Sequence, residues 1–168
     1  MTSPFKKLFG KGGTEYVEKN TTQPIAESKL ILEDLSDNEK KFVTDNIGLA
    51  TELFKELGII NNNHIFDPSN IEIGIETWFS QDLQAKYRLD QNMYSDALAC
   101  GWGKYLSEIL GMDWHVITDN YGTEIGVYHK NNNVTIFPFN SMSKAFRDKK
   151  FDLISIITSK AKDISTTK

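Results

Sequence analysis

Between Leu35 and Gly58 the apolar residues Phe42, Val43, Ile47, Ala50, Leu53, Phe54 and Leu57 recur at intervals of three and four. That period places them on one face of an α-helix. The start is marked by Ser36 and, three residues on, Glu39. This is a capping-box pair in which each side chain satisfies the other residue's backbone N–H. Gly58 is the matching stop, since glycine alone enters the left-handed conformation without steric cost.

The next stretch, "DPSNIEIGIETWFSQDLQ" over 67–84, carries two periods at once. Ile71, Ile73 and Ile75 alternate with polar neighbours as in a strand, while Ile71, Ile75, Trp78, Phe79 and Leu83 form one helical face. Asp67 as an N-cap and Pro68 at the first helical position favour the helix. In "YSDALACGWGKYLSEILG" a stripe of Tyr94, Ala97, Leu98, Gly101, Tyr105 and Ile109 predicts a further helix, with Ser95 a candidate cap and Gly111 its end. Gly101 and Gly103 inside it each cost about 1 kcal/mol relative to alanine. Close approach of another element to a helix side lacking Cβ atoms would offset that cost.

The period then switches to two. In "DWHVITD", Trp114, Val116 and Thr118 point one way and His115 and Ile117 the other. "DNYG" is turn chemistry, "EIGVYHK" a second strand, "NNN" a second turn and "VTIFPF" a third strand that Pro138 ends. A short helix from "NSMSKAF" and a closing helix from "DLISIITSKAKDI" follow, the latter with Leu153, Ile154, Ile156 and Ile157 inward. The sum is one α+β domain over 36–163, a three-stranded antiparallel meander packed against several helices. Residues 1–35 read as an N-terminal arm and irregular segment, and 164–168 as a disordered tail.

Composition narrows the function classes. Cys100 is the single cysteine of 168 residues, so no internal disulfide forms. No apolar run approaches the roughly 18 residues that span a bilayer, and no signal-like h-region is present. The expected compartment is the cytoplasm. Residues 1–20 carry four lysines and two glutamates, net +2; residues 144–168 carry seven Lys/Arg and three Asp, net +4; the remaining 21–143 carry eight basic and eighteen acidic residues, net −10. An acidic body does not suit phosphate backbones, which take clustered Lys and Arg. It does suit a basic protein partner. The arm holds Phe5, Leu8 and Phe9 among lysines, a short candidate for membrane contact that buries little apolar surface.

The pattern from "GWGKYLSEILGMDWHVITDNYGTEIGVY" through "VTIFPFNSMSKAF" is similar to a bacterial family known as a domain of unknown function, serial thirty-eight-oh-six. The likeness rests on a glycine-bearing helix ending in Leu-Gly, an Asp-Trp strand start, the Asp119-to-Gly122 turn and the Phe-Pro segment leading to Lys144, over about residues 90–155. Where the family carries Lys-Arg after that segment, this chain has Lys144-Ala145. The resemblance implies a compact bacterial domain and no activity, cofactor or catalytic residue.

No phosphate-binding loop, dinucleotide fingerprint, Cys-x-x-Cys or nucleophile elbow is present. His115 and His129 on adjacent strands lack a recognisable third ligand, so no metal is expected. Cys100, His115 and Asp119 together would make a nucleophile, base and orienter, but Cys100 reads better as a buried small residue in an acidic setting. No cofactor is expected. The candidate interface residues are Glu72, Glu76, Asp82, Trp102, Asp119 and Tyr121. Trp102 lies off the buried stripe, and is either an exposed anchor or packed against the 68–84 helix or the N-terminal segment. The leading expectation is a non-enzymatic protein-binding module, in its sharpest form an immunity-type inhibitor of a basic toxin or enzyme. The alternatives are a small enzyme with a site near the 113–129 hairpin, or a membrane-peripheral adaptor using Phe5–Phe9.

Overall fold

In the computed structural model, residues 30–59 and 64–166 are described. The Phe5–Phe9 arm and most of the irregular N-terminal segment lie outside them. The element order is β1 (Ile31–Glu33), α1 (Asp37–Leu57), α2 (Pro68–Ser80), α3 (Leu83–Tyr87), α4 (Gln91–Leu110), β2 (Asp113–Asp119), β3 (Gly122–His129), β4 (Val134–Ile136), α5 (Pro138–Asp148) and α6 (Leu153–Thr166). The class is α+β, as the patterning predicts. The sheet differs in one respect: it has four strands in the order β1-β2-β3-β4, all antiparallel. The added strand is β1, taken from the segment expected to be irregular. Its three residues pair Ile31 with Thr118, Leu32 with Ile117 and Glu33 with Val116.

Local signals place most helix ends. Ser36 and Glu39 form the capping box on α1, and Gly58 closes it at φ 67°. Asp67 caps α2 with Pro68 in its first turn, so the 68–84 stretch resolves as helix, interrupted before α3. The cap of α4 is Asp90, whose carboxylate accepts the Met93 N–H at 2.8 Å. Ser95, the expected cap, lies inside the helix and is buried. α5 begins at Pro138 itself, and α6 runs through Thr166, past the expected start of the tail.

The core is built around α4. Eleven of its twenty residues are buried, including the unbroken run Ala97–Gly103. A helix apolar all round is an enclosed one, not a one-sided surface helix. It packs against α1, α2, α5, α6 and the sheet. This enclosure removes Trp102 from the candidate interface. Its side chain is fully buried, and its indole N–H donates to the Thr158 hydroxyl on α6 at 3.0 Å. Both end turns emerge, with Met93 43% exposed at the start and Ile109 50% exposed at the end instead of inward. Ile156 on α6 likewise faces partly outward.

The two helical glycines are contact points. A Cβ on Gly101 would lie 2.7 Å from the Phe66 ring, and one on Gly103 only 2.1 Å from the Trp114 ring. The sheet's inner face, with Trp114 and Val116 of β2 and Ile125 and Val127 of β3, lies against α4 and α1. The other, outer face carries His115, Ile117 and Asp119 opposite Gly126, Glu124 and Gly122; Phe137 and the start of α5 cover its middle, where Ile117 is fully buried.

Candidate functional site

The β2–β3 hairpin turns through Asn120 and Tyr121, with Asp119 paired to Gly122. The Asp119 carboxylate accepts the backbone N–H of Tyr121 at 2.7 Å and of Gly122 at 3.2 Å. This Asx turn fixes the tip without help from the rest of the chain. Gly122 sits at φ 143°, a region open to glycine and costly for other residues. One step down, the hydroxyls of Thr118 and Thr123 bond to each other across the strands at 2.8 Å. On this braced tip Tyr121 is 97% exposed. Tyrosine is enriched among the residues that anchor protein interfaces, and a braced turn presents this one clear of the fold.

β1 runs beside the tip. Ile31 stands opposite Thr118 and is 46% exposed. Glu33 and Asp34 continue along the same edge, the Asp34 side chain 96% exposed. Past Asp34 the chain turns into α1, and a groove of about 330 Å³ opens between α1 and β2, lined in part by Asp34, Leu35, Lys40, Val43, Ile47 and Trp114. An exposed aromatic, an exposed aliphatic, an acidic edge and an apolar groove thus follow one another along one side of the sheet.

The other sequence-predicted residues scatter. Glu76 and Asp82 are exposed around the end of α2, with Asp82 also capping α3 through the Ala85 N–H at 3.1 Å. α2 packs chiefly on α4 and α6, which places this acidic pair apart from the hairpin tip. Glu72 is engaged elsewhere: its carboxylate accepts the Ser155 backbone N–H and hydroxyl, both at 2.8 Å, at the first turn of α6. It is a cap supplied by another helix, which takes it out of the candidate interface.

The Cys100, His115 and Asp119 set is not assembled. Cys100 packs with Leu35, Val43 and Ile125 on the inner side of the sheet, and burial holds its thiol well above the ordinary range. His115 lies on the outer face, paired with Gly126. Its Nδ1 is 4.0 Å from the Asp34 carboxylate, beyond hydrogen-bond reach. Asp119 is four positions further along the same strand, about 13 Å away at strand rise. His129, three residues after Gly126, falls on the opposite face from His115. Among the described residues, no three His, Cys, Asp or Glu side chains converge as a metal group would require.

Three features escaped the sequence. Glu124 on the outer face accepts a hydrogen bond from the Asn140 backbone N–H in the first turn of α5, and burial pushes its carboxyl up to about 7. The usable signal was Phe137, a helix-preceding residue with no capping side chain. Asp96, on α4, is pushed up to about 6, first by burial and then by the Asp90 charge. His64 accepts the Phe66 N–H on Nδ1 at 3.1 Å and meets Glu108 through Nε2 at 2.9 Å. With Nδ1 accepting, Nε2 must carry the proton. Both ring nitrogens are therefore occupied, and this histidine is no free base.

No helix among the described residues is long and apolar enough to cross a membrane. No curated protein and no solved structure matches the chain. A family model does match, beginning somewhat earlier than the expected span and taking in α3. Residues 81–156, from the end of α2 to the start of α6, match the model of a domain of unknown function (DUF3806), the family that the Leu-Gly, Asp-Trp and Asp-x-Tyr-Gly spacing resembles.

Proposed function

We propose that this chain is a non-enzymatic binding module of the bacterial cytoplasm that occupies a basic protein, in the manner of an immunity-type inhibitor. The observation that carries the reading is Tyr121, 97% exposed on a turn that Asp119 braces. The braced turn already fixes the backbone that presents the ring, so less ordering of the main chain is left to oppose docking and more of the contact energy reaches the affinity. The flanking acids Glu33, Asp34 and Asp119 supply the charge that steers a basic partner. Cys100, His115 and Asp119 lie apart from one another, which supports binding over a catalytic site built on those three residues.

The test is capture of partners from host lysate by the tagged full chain, washed at low and high salt, beside a Tyr121→Ala chain. A stoichiometric basic protein that is retained by the parent, weakened by salt and lost with Tyr121→Ala supports the module. A partner retained equally by both chains, or none at either salt, refutes the Tyr121-anchored reading.

A further inference from the structure

We infer that the groove between α1 and β2 receives an arginine side chain of the basic partner; this rests on the binding-module reading above. The groove has two chemically distinct parts. Its floor is apolar: Leu35 and Val43 are buried, and Ile47 and Trp114 are half-buried. One edge of the Trp114 ring abuts Gly103 and the ring neighbours Phe139, so the indole is held in place by the core. Its mouth carries Asp34 on the strand side, with the side chain 96% exposed, and Lys40 on the helix side.

The charge around this mouth favours a cation. Residues 33–45 hold five acids (Glu33, Asp34, Asp37, Glu39, Asp45) and two lysines, net −3. Lys41 is paired with Asp45 at 2.7 Å; of the two charged residues lining the mouth, Lys40 offsets Asp34, so the acidic excess comes from Glu33, Asp37 and Glu39 beside them in the chain. A volume of about 330 Å³ is at the small end of ligand pockets, about 300–1,000 Å³. It suits one long side chain better than a cofactor. Arginine fits both parts. Its aliphatic stem lies on apolar surface while its head stays at the rim. Its planar, weakly hydrated guanidinium stacks on indole and makes paired hydrogen bonds to a carboxylate. Lysine offers a compact, strongly hydrated ammonium that gains less from either.

The test titrates the full ¹⁵N-labelled chain with a capped Gly-Arg-Leu-Gly peptide, and with its lysine and glutamate counterparts, up to about 20 mM, a range that reads millimolar affinity. Saturable shifts of the Trp114 indole N–H and the Asp34 and Thr44 amides are expected with the arginine peptide. They should be at least about fivefold weaker with lysine and with Asp34→Asn. Absent shifts, equal shifts with the glutamate peptide, or an unaffected Asp34→Asn overturn the inference. Lysate capture separates the two ideas. A partner lost with Tyr121→Ala but unaffected by Asp34→Asn sinks the groove and leaves the module standing. Arginine-peptide binding at Trp114 with no captured partner keeps the cation groove and sinks the module.

Discussion

Gly103→Ala offers a direct measure of how the sheet is seated on α4. Judged by helix propensity alone, the change should stabilise by about 1 kcal/mol. The added methyl, however, would lie 2.1 Å from Cζ2 and 2.3 Å from Cη2 of Trp114. Ordinary carbon contacts sit at about 3.5–4.0 Å, so the ring would have to retreat by about 1.4 Å from its nearest atom. Trp114 is paired with Val127 across the sheet and packs near Phe139, so the retreat disturbs neighbours. Overpacking of a well-filled core costs about 1–3 kcal/mol, and this contact belongs at the upper end. The net expectation is a loss of about 2 kcal/mol. Gly48→Ala is the control: it lies on the exposed side of α1, with nothing within 4 Å of its Cβ position, and should gain up to about 1 kcal/mol. Urea denaturation should separate the two variants by about 3 kcal/mol. Thermal scans should shift about 4–8 °C down and about 2–4 °C up respectively. If both variants move in the same stabilising direction, the Gly103–Trp114 contact is not a packing constraint. A Trp114→Leu background that erases the penalty would tie it to the ring.

Thr158→Val leaves the buried Trp102 indole N–H without its acceptor and should cost about 1–3 kcal/mol; Thr158→Ser should retain most of the stability, and equal urea midpoints for all three chains would remove the bond from the account. Glu124 titrates at about 7 in the fold against an ordinary 4.5, so the folded state holds a proton that the unfolded chain loses first. Stability tied to this group is full below about pH 4.5 and is lost as pH rises through about 7, by about 3 kcal/mol. Asp96, raised to about 6, acts in the same direction. Glu124→Gln should therefore match the parent at pH 4 and exceed it at pH 8; a parent-like pH slope in that variant would discard the assignment. Tyr121→Ala should leave the urea midpoint within about 0.5 kcal/mol while costing at least about 2 kcal/mol, roughly thirtyfold, in affinity for a captured partner, a contrast that calorimetry on the purified pair checks.

What was legible depended on whether the signal was local. The Ser36–Glu39 box, Gly58, Asp67-Pro68 and the Asp119 turn each act within a few residues, and each appears where the residues put it. The glycine pair on α4 was readable too, because its propensity cost demanded a close neighbour, though not which one. Trp102 stays open in the sequence because a stripe on one face leaves the opposite side of a helix undecided, whereas α4 is enclosed all round through Ala97–Gly103. β1 was missed because three residues cannot display a period. Ile31–Glu33 is a strand only through pairing with β2, more than eighty positions away. The caps given by Glu72 and Glu124 share that difficulty, since their partners lie on other elements.

Those two borrowed caps also bear on how the chain folds. α1 carries both halves of its own cap and is 21 residues long, so it can nucleate from local contacts. α5 has no side-chain cap from its preceding residue and takes Glu124 from β3. α6 takes Glu72 from α2, 83 residues away. Their first turns are therefore completed only after distant loops have closed, and such closure slows folding. In a kinetic analysis, substitutions at Ser36 should slow refolding, whereas substitutions at Glu72 and Glu124 should mainly speed unfolding. The C-terminal third of the chain would be the last part to lock, and the first to open.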